Sequence, residues 1–378
     1  MSRDPNSLGI SVLTSSSLWS LRDFLQELKE ICHVRAADLF VLRDTDLLEM
    51  AIRGLAIAPS SLGESGLRKK IGQFLDRRPI TSILERDDNC VLIAKWLTET
   101  LSSINGIQIV ALATYFPDIS SRDVTRRNRA VQALTNTVLL GSEILPDDRP
   151  LIVEVVSGSV LDACEPFSFV TPHESKLRIL LKSLLAVVRS VVKVKPTRRI
   201  AVAIEMEPGN AYVLNDKNSI DCLLGLLEEP EFNELLGIVG LNADIWHYRI
   251  AGIGPKQFCE YQKHFVHAHI SDGPGDHTRD HAIGSWTAYE PMDSEIERYL
   301  DVLARIRRGE TDLPWSRHVA LELEGNNRCR FINSSVVAMR QVIVRCLSRM
   351  AREEQAAAAL LGKTMRNGEV TELNATRQ

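Results

Sequence analysis

A short run of β-branched and aliphatic residues, then a longer stretch with apolar residues every three or four positions, recurs along this chain. The runs are LGISVLT (8–14), DLFVLRD (38–44), IQIVALATY (107–115), LIVEVVSG (151–158), IAVAIEMEPG (200–209), VGLNADIWH (239–247), FVHAHISD (265–272) and HVALELEG (318–325). Between them lie segments such as SLWSLRDFLQELKEI, ESKLRILLKSLLAVVRSVV and EIERYLDVLARIRR, whose spacing predicts helices packed on one face. Strands alternating with helices imply a parallel sheet with right-handed crossovers. Eight such units in 378 residues favour a closed (β/α)8 TIM barrel over an open sheet.

The barrel is expected to span 8–350 as a single domain. The stretch 45–106 is too long for one crossover and reads as a helical insertion in the β2–β3 connection, over or beside the barrel mouth. A final helix is expected over 331–350, and 351–378 reads as a helical extension ending in a flexible tail. No apolar run approaches the length needed to span a bilayer, and the N-terminus lacks the pattern of a secretory signal. Seven scattered cysteines without a CxxC pair fit reduced thiols, hence a cytoplasmic location. The formal net charge of −4 offers no electrostatic footprint for nucleic acid.

Side chains alternate across a strand. Along IAVAIEMEP, Ile200, Val202, Ile204 and Met206 form an apolar row, and Ala201, Ala203, Glu205 and Glu207 the other. In HVALELEG, Ala320, Glu322 and Glu324 oppose Val319, Leu321 and Leu323; in FVHAHIS, Phe265, His267 and His269 oppose Val266, Ala268 and Ile270. LNADIWH adds Asp244, with His247 past the strand end. Each strand is thus apolar toward the helices and ends in ionisable residues at its C-terminal tip, where barrel active sites lie. One Glu-x-Glu alone most often marks a solvated rim, and one His-x-His is as often packing as ligand. Four consecutive strands ending this way are harder to dismiss. Carboxylates turned inward need a counter-charge, and mixed oxygen and imidazole donors suit Mn2+, Co2+, Fe2+ or Zn2+, with Mg2+ also accommodated. The chain also crowds five of its nine histidines into HFVHAHISDGPGDHTRDH (264–281).

These motifs resemble the xylose isomerase-like barrel superfamily, which holds sugar-phosphate isomerases and epimerases, inosose dehydratases and endonuclease IV. The resemblance covers roughly 198–325 and implies one divalent metal ion held by Glu205, Asp244, His269 and Glu322, with Glu324 an alternative to Glu322. It further implies His247, His267, Glu207 and His281 as substrate-binding or supporting groups, and Asp280 with His281, or Asp272, as a second metal or substrate site. His264 and His277 read as structural or loop residues. Arg249 and Arg279 are candidates for holding a phosphate or carboxylate, although no glycine-rich phosphate cradle follows the seventh strand.

The activity so implied is isomerisation or epimerisation of a sugar or related hydroxy-ketone. A proton next to the carbonyl is abstracted to give an enediolate, with Glu205 and Glu322 as acid–base pair and His247 on a substrate oxygen. Dehydration or a hydride shift is compatible with the same ligands. The partner is a small sugar or polyol-ketone, with no nucleic acid and no membrane; self-association into a homo-oligomer is left open. Two other classes compete. An endonuclease IV-type phosphodiesterase needs histidines from strands two and three, which DLFVLRD and IQIVALATYFPD lack. A barrel serving only as a binding or scaffold protein has no reason to keep buried charges.

Overall fold

The aliphatic runs form eight strands in a computed structural model that describes residues 8–14, 21–41, 87–160, 172–271, 295–306, 313–322 and 328–375. They are β1 (Gly9–Val12), β2 (Ala36–Phe40), β3 (Gln108–Thr114), β4 (Leu151–Val156), β5 (Ile200–Glu205), β6 (Val239–Asn242), β7 (Phe265–Ile270) and β8 (His318–Leu321). Every ladder is parallel, and β1 pairs with β8 in the order β1-β8-β7-β6-β5-β4-β3-β2. The remaining seam is closed by a single parallel bridge, Leu13 to Asp38. There the Thr14 amide donates to the Asp38 carbonyl at 2.9 Å, and the Phe40 amide to the Thr14 hydroxyl at 2.8 Å. The expected closed barrel is therefore present, nearly closed at this one seam.

Helices surround the strands: α1 (Leu21–Glu30), α2 (Asp87–Ser102), α3 (Val124–Ile144), α4 (Glu174–Val194), α5 (Lys217–Leu227), α6 (Ile245–Ile250), α7 (Pro255–Glu260), α8 (Glu295–Arg305) and α9 (Arg328–Ala375). In α1, Leu21, Phe24, Leu25 and Leu28 are buried, the spacing of one helical face. Asp123 caps α3 by accepting from the Thr125 and Arg126 amides, and Asp216 and Ser219 form a capping box on α5. Of the expected insertion 45–106, the described part is chiefly α2, which packs against α3 in the outer helical layer; 45–86 lie outside the described residues. The helix α9 continues to Ala375 through most of the segment expected to be a flexible tail. Among the described residues no helix is long and apolar enough to cross a membrane.

Two strand expectations are corrected. The run 239–247 ends as a strand at Asn242, and α6 begins at Ile245. The Asp244 side chain accepts the His247 amide at 2.9 Å, an N-cap that turns the chain out of the sheet and puts His247 in the first helical turn. In β7, Leu241 pairs with Phe265 but Asn242 with His267, so Val266 is an extra residue. Phe265 turns to the helices, its ring centroid 4.7 Å from that of Phe258 and 6.0 Å from that of Tyr248. It does not share the inner row with His267 and His269 as strict alternation predicts.

The interior is layered. Ala111, Ile152, Ala201, Ala203, Val266 and Leu313 form a small apolar cluster, separate from the larger core between strands and helices. The next inward positions along the same strands, Glu154, Glu205, His267 and His269, are ionisable and buried.

Candidate metal centre

Four elements deliver one donor each to the C-terminal end of the barrel. Glu205 closes β5, Asp244 caps α6 beyond β6, His269 stands near the end of β7, and Glu322 follows β8. The Glu322 amide still donates to the Ile270 carbonyl at 3.1 Å, so this residue keeps its sheet register. One donor atom from each of the four lies within 4.8 Å of the others. His269 Nδ1 is 2.9 Å from Glu322 Oε2 and 3.6 Å from Glu205 Oε1. The cap occupies Asp244 Oδ1, while Oδ2 is buried without a hydrogen-bond partner among the described residues.

Below this group lies a second tier. His269 Nε2 is 2.8 Å from Glu154 Oε2 on β4, at hydrogen-bond distance though not well aligned for one. His267 Nε2 meets Asp38 Oδ2 at 2.6 Å, and its Nδ1 meets the Ser316 hydroxyl at 2.8 Å. The Ser11 hydroxyl also donates to Asp38 Oδ2, at 3.3 Å, and Asn242 Nδ2 donates to Glu205 Oε1 at 3.3 Å. At the rim, His247 stands between two carboxylates, its Nδ1 3.6 Å from Glu205 Oε1 and its Nε2 3.8 Å from Glu207 Oε2.

The electrostatics follow from burying so many acids together. Burial, reinforced by the Glu154 carboxylate, pushes Glu205 up to about 7 against the pull of His269 and His247. Burial pushes Glu207 up to about 8, opposed by His247 and reinforced by Glu205, Glu322 and Asp244. Glu154 and Glu322 are raised chiefly by burial as well. For His269 burial acts downward, but Glu154, Glu205 and Glu322 outweigh it and hold the imidazole well above its ordinary value. Asp38 goes the other way: burial would raise it, and His267, His269 and His318 pull it down. The upper group is short of positive charge. Its oxygen-rich donor set, its one imidazole and the orphaned Asp244 Oδ2 together fit a divalent cation.

The geometry thus gathers the four residues expected to form one ligand set, with His247 and Glu207 beside them. Arg249 pairs with Glu295 at 3.1 Å and lies over the Trp246 ring. His267 is fully buried with both ring nitrogens engaged inside the protein, the place of a supporting group. Asp272, His277, Arg279, Asp280, His281 and Glu324 lie outside the described residues. Asp38 and Glu154 join the cluster without having been singled out in the sequence. Their signal was a lone acid flanked by apolar residues in AADLF and LIVEVV, both strands buried along nearly their whole length.

No family model and no curated protein matches the chain. Solved structures do match. The 3-keto-D-glucoside 4-epimerase YcjR of E. coli, in its apo form, superposes with a TM-score of 0.55 at 12% identity, over 88% of this chain and 99% of that one. The IolI protein with a bound zinc atom gives 0.54 at 12% identity, over 90% and 98%. A xylose isomerase domain protein from Alicyclobacillus acidocaldarius gives 0.51 at 13%, over 89% and 99%. At such identities the likeness is one of architecture, and it spans nearly the whole of each of those chains. The chain has the (β/α)8 barrel fold of the xylose isomerase-like proteins.

Proposed function

We propose that the protein is a divalent-metal-dependent isomerase or epimerase acting on a sugar or related hydroxy-ketone. The observation that carries this reading is the convergence of Glu205, Asp244, His269 and Glu322 at the barrel mouth, with donor atoms within 4.8 Å of one another. The named activity of the E. coli epimerase and the zinc in IolI support it by analogy of fold.

When bound, the cation supplies electrophilic polarisation of the substrate carbonyl, which acidifies the neighbouring C–H. The protein's own groups do the rest. Glu205, on β5, and Glu322, after β8, reach the centre from strands well separated around the barrel, so a substrate bound between them meets a carboxylate on either side. For epimerisation one carboxylate removes the proton and the other returns it on the opposite face; for isomerisation the carboxylate that removes the proton returns it to the neighbouring carbon on the same face. His247, Glu207 and Glu322 are only partly buried and form the approach, where His247 donates to a substrate oxygen.

The test is deuterium exchange from heavy water into a panel of ketoses, with manganese or cobalt supplied. The proposal expects label at a carbon next to the carbonyl, lost in Glu205→Gln. Metal-loaded protein giving no exchange and no conversion with any member of a broad ketose panel would count against it.

A further inference from the structure

The ligand His269 has two faces, and the two nitrogens have different neighbours. Nδ1 looks to Glu322 and Glu205, the metal-facing side. Nε2 looks down the barrel to Glu154 Oε2 at 2.8 Å, within hydrogen-bond distance though poorly aligned, and among the described residues neither atom makes a well-formed hydrogen bond to any other group. The alternative acceptor for Nε2, Asp38 Oδ2, is farther away at 3.9 Å and already takes His267 at 2.6 Å. The sheet makes room for Glu154 to reach across. Its register neighbours are Ala113 on β3 and Ala203 on β5, so no bulky side chain flanks it in its own layer. The Thr114 hydroxyl donates to the Glu154 carbonyl at 2.7 Å and fixes that backbone.

We propose that Glu154 is a positioning residue for the metal centre: it accepts the Nε2–H of His269, so that the Nδ1 lone pair is turned toward Glu205, Asp244 and Glu322. An imidazole ligand that donates its second N–H to a carboxylate is fixed in tautomer and ring orientation and is a more basic donor. The carboxylate is buried beneath the mouth, and the groups that act on it, His269, Glu205 and Glu322, all belong to the centre. The inference rests on the metal-centre reading and is independent of the substrate.

The test is cobalt binding by the full-length protein, followed by calorimetric titration and by the visible absorption of the bound ion. Wild type, Glu154→Gln and Glu154→Leu are compared, with circular dichroism for the fold. Glu154→Leu is expected to weaken cobalt about 10–100-fold and to alter the absorption band. Glu154→Gln, whose amide oxygen can still accept from Nε2, recovers part of the loss. A Leu variant that is folded and binds cobalt within about twofold of wild type with an unchanged spectrum would overturn the proposal. If the Leu variant does not fold, Gln decides: a shifted spectrum with weaker binding supports the role, and wild-type behaviour contradicts it. Failure of the wild-type protein to bind cobalt at all would remove the metal centre itself, and this role with it.

Discussion

A histidine with a carboxylate at each nitrogen, as His269 has in Glu154 and Glu322, is the pivot of the candidate centre. Its neighbours make two residue-level expectations. Glu205→Gln and Glu322→Gln each lower turnover by at least about 100-fold, the usual contribution of an acid–base group. His247→Ala chiefly raises KM, by about tenfold, as loss of one substrate hydrogen bond does. Steady-state kinetics on the substrate found by heavy-water exchange check both, and wild-type kcat/KM in the two glutamate variants would contradict the assignment. Protons compete with the metal for these donors. Because Glu205 is pushed up to about 7 and His269 well above its ordinary value, apparent affinity for cobalt or manganese rises with pH through neutrality. Titrations at about pH 6 and about pH 8 check the sign.

At the scale of elements, the barrel depends on close approach between strands at particular points. Gly240 in β6 is one. A Cβ there would sit 2.4 Å from the His264 carbonyl oxygen and 2.5 Å from Leu313 Cδ1. The backbone oxygen cannot step aside, so Gly240→Ala is expected to cost about 1–3 kcal/mol, measured by denaturant unfolding. The same β6–β7 seam marks where the sequence stops being legible. The ionisable ends of β5 to β8 could be read because they interrupt otherwise apolar runs, while the choice of Glu205, Asp244, His269 and Glu322 among them came from the resemblance. Phe265 could not, since alternation is local and the extra residue at Val266 is a property of pairing with β6. The turn into α6 was hidden in VGLNADIWH because Ile245 and Trp246 suit a strand as well as a helix, and only the Asp244 cap decides. Glu154 and Asp38 sit in mid-strand, where one acid among apolar residues gains meaning only from what faces it across the barrel.

The whole molecule folds around an excess of buried acid, and its stability should register that. Glu205 and Glu207 have folded-state values of about 7 and about 8 against ordinary values of 4.5, and His269 lies well above 6.5. All three therefore take up protons on folding in this range. The stability they contribute is present at low pH and is lost as pH rises through about 7 and 8. The metal-free protein is expected to show a Tm that falls between about pH 5 and about pH 8.5, a trend that saturating metal flattens. Metal at about 100 times its Kd should add about 2.7 kcal/mol of stability. Thermal melts across pH, with and without manganese, check this. The barrel architecture and its eight strands were readable from periodicity. The seam between β1 and β2, held by one bridge and the Thr14 hydroxyl, was not, because it depends on a single contact rather than on a pattern.

The most direct measurement is an anomalous difference map from crystals of the protein grown with manganese. One peak is expected, within coordinating distance of Glu205, Asp244, His269 Nδ1 and Glu322. A map with no peak among these four residues, at manganese concentrations that saturate any binding seen in solution, would contradict the account.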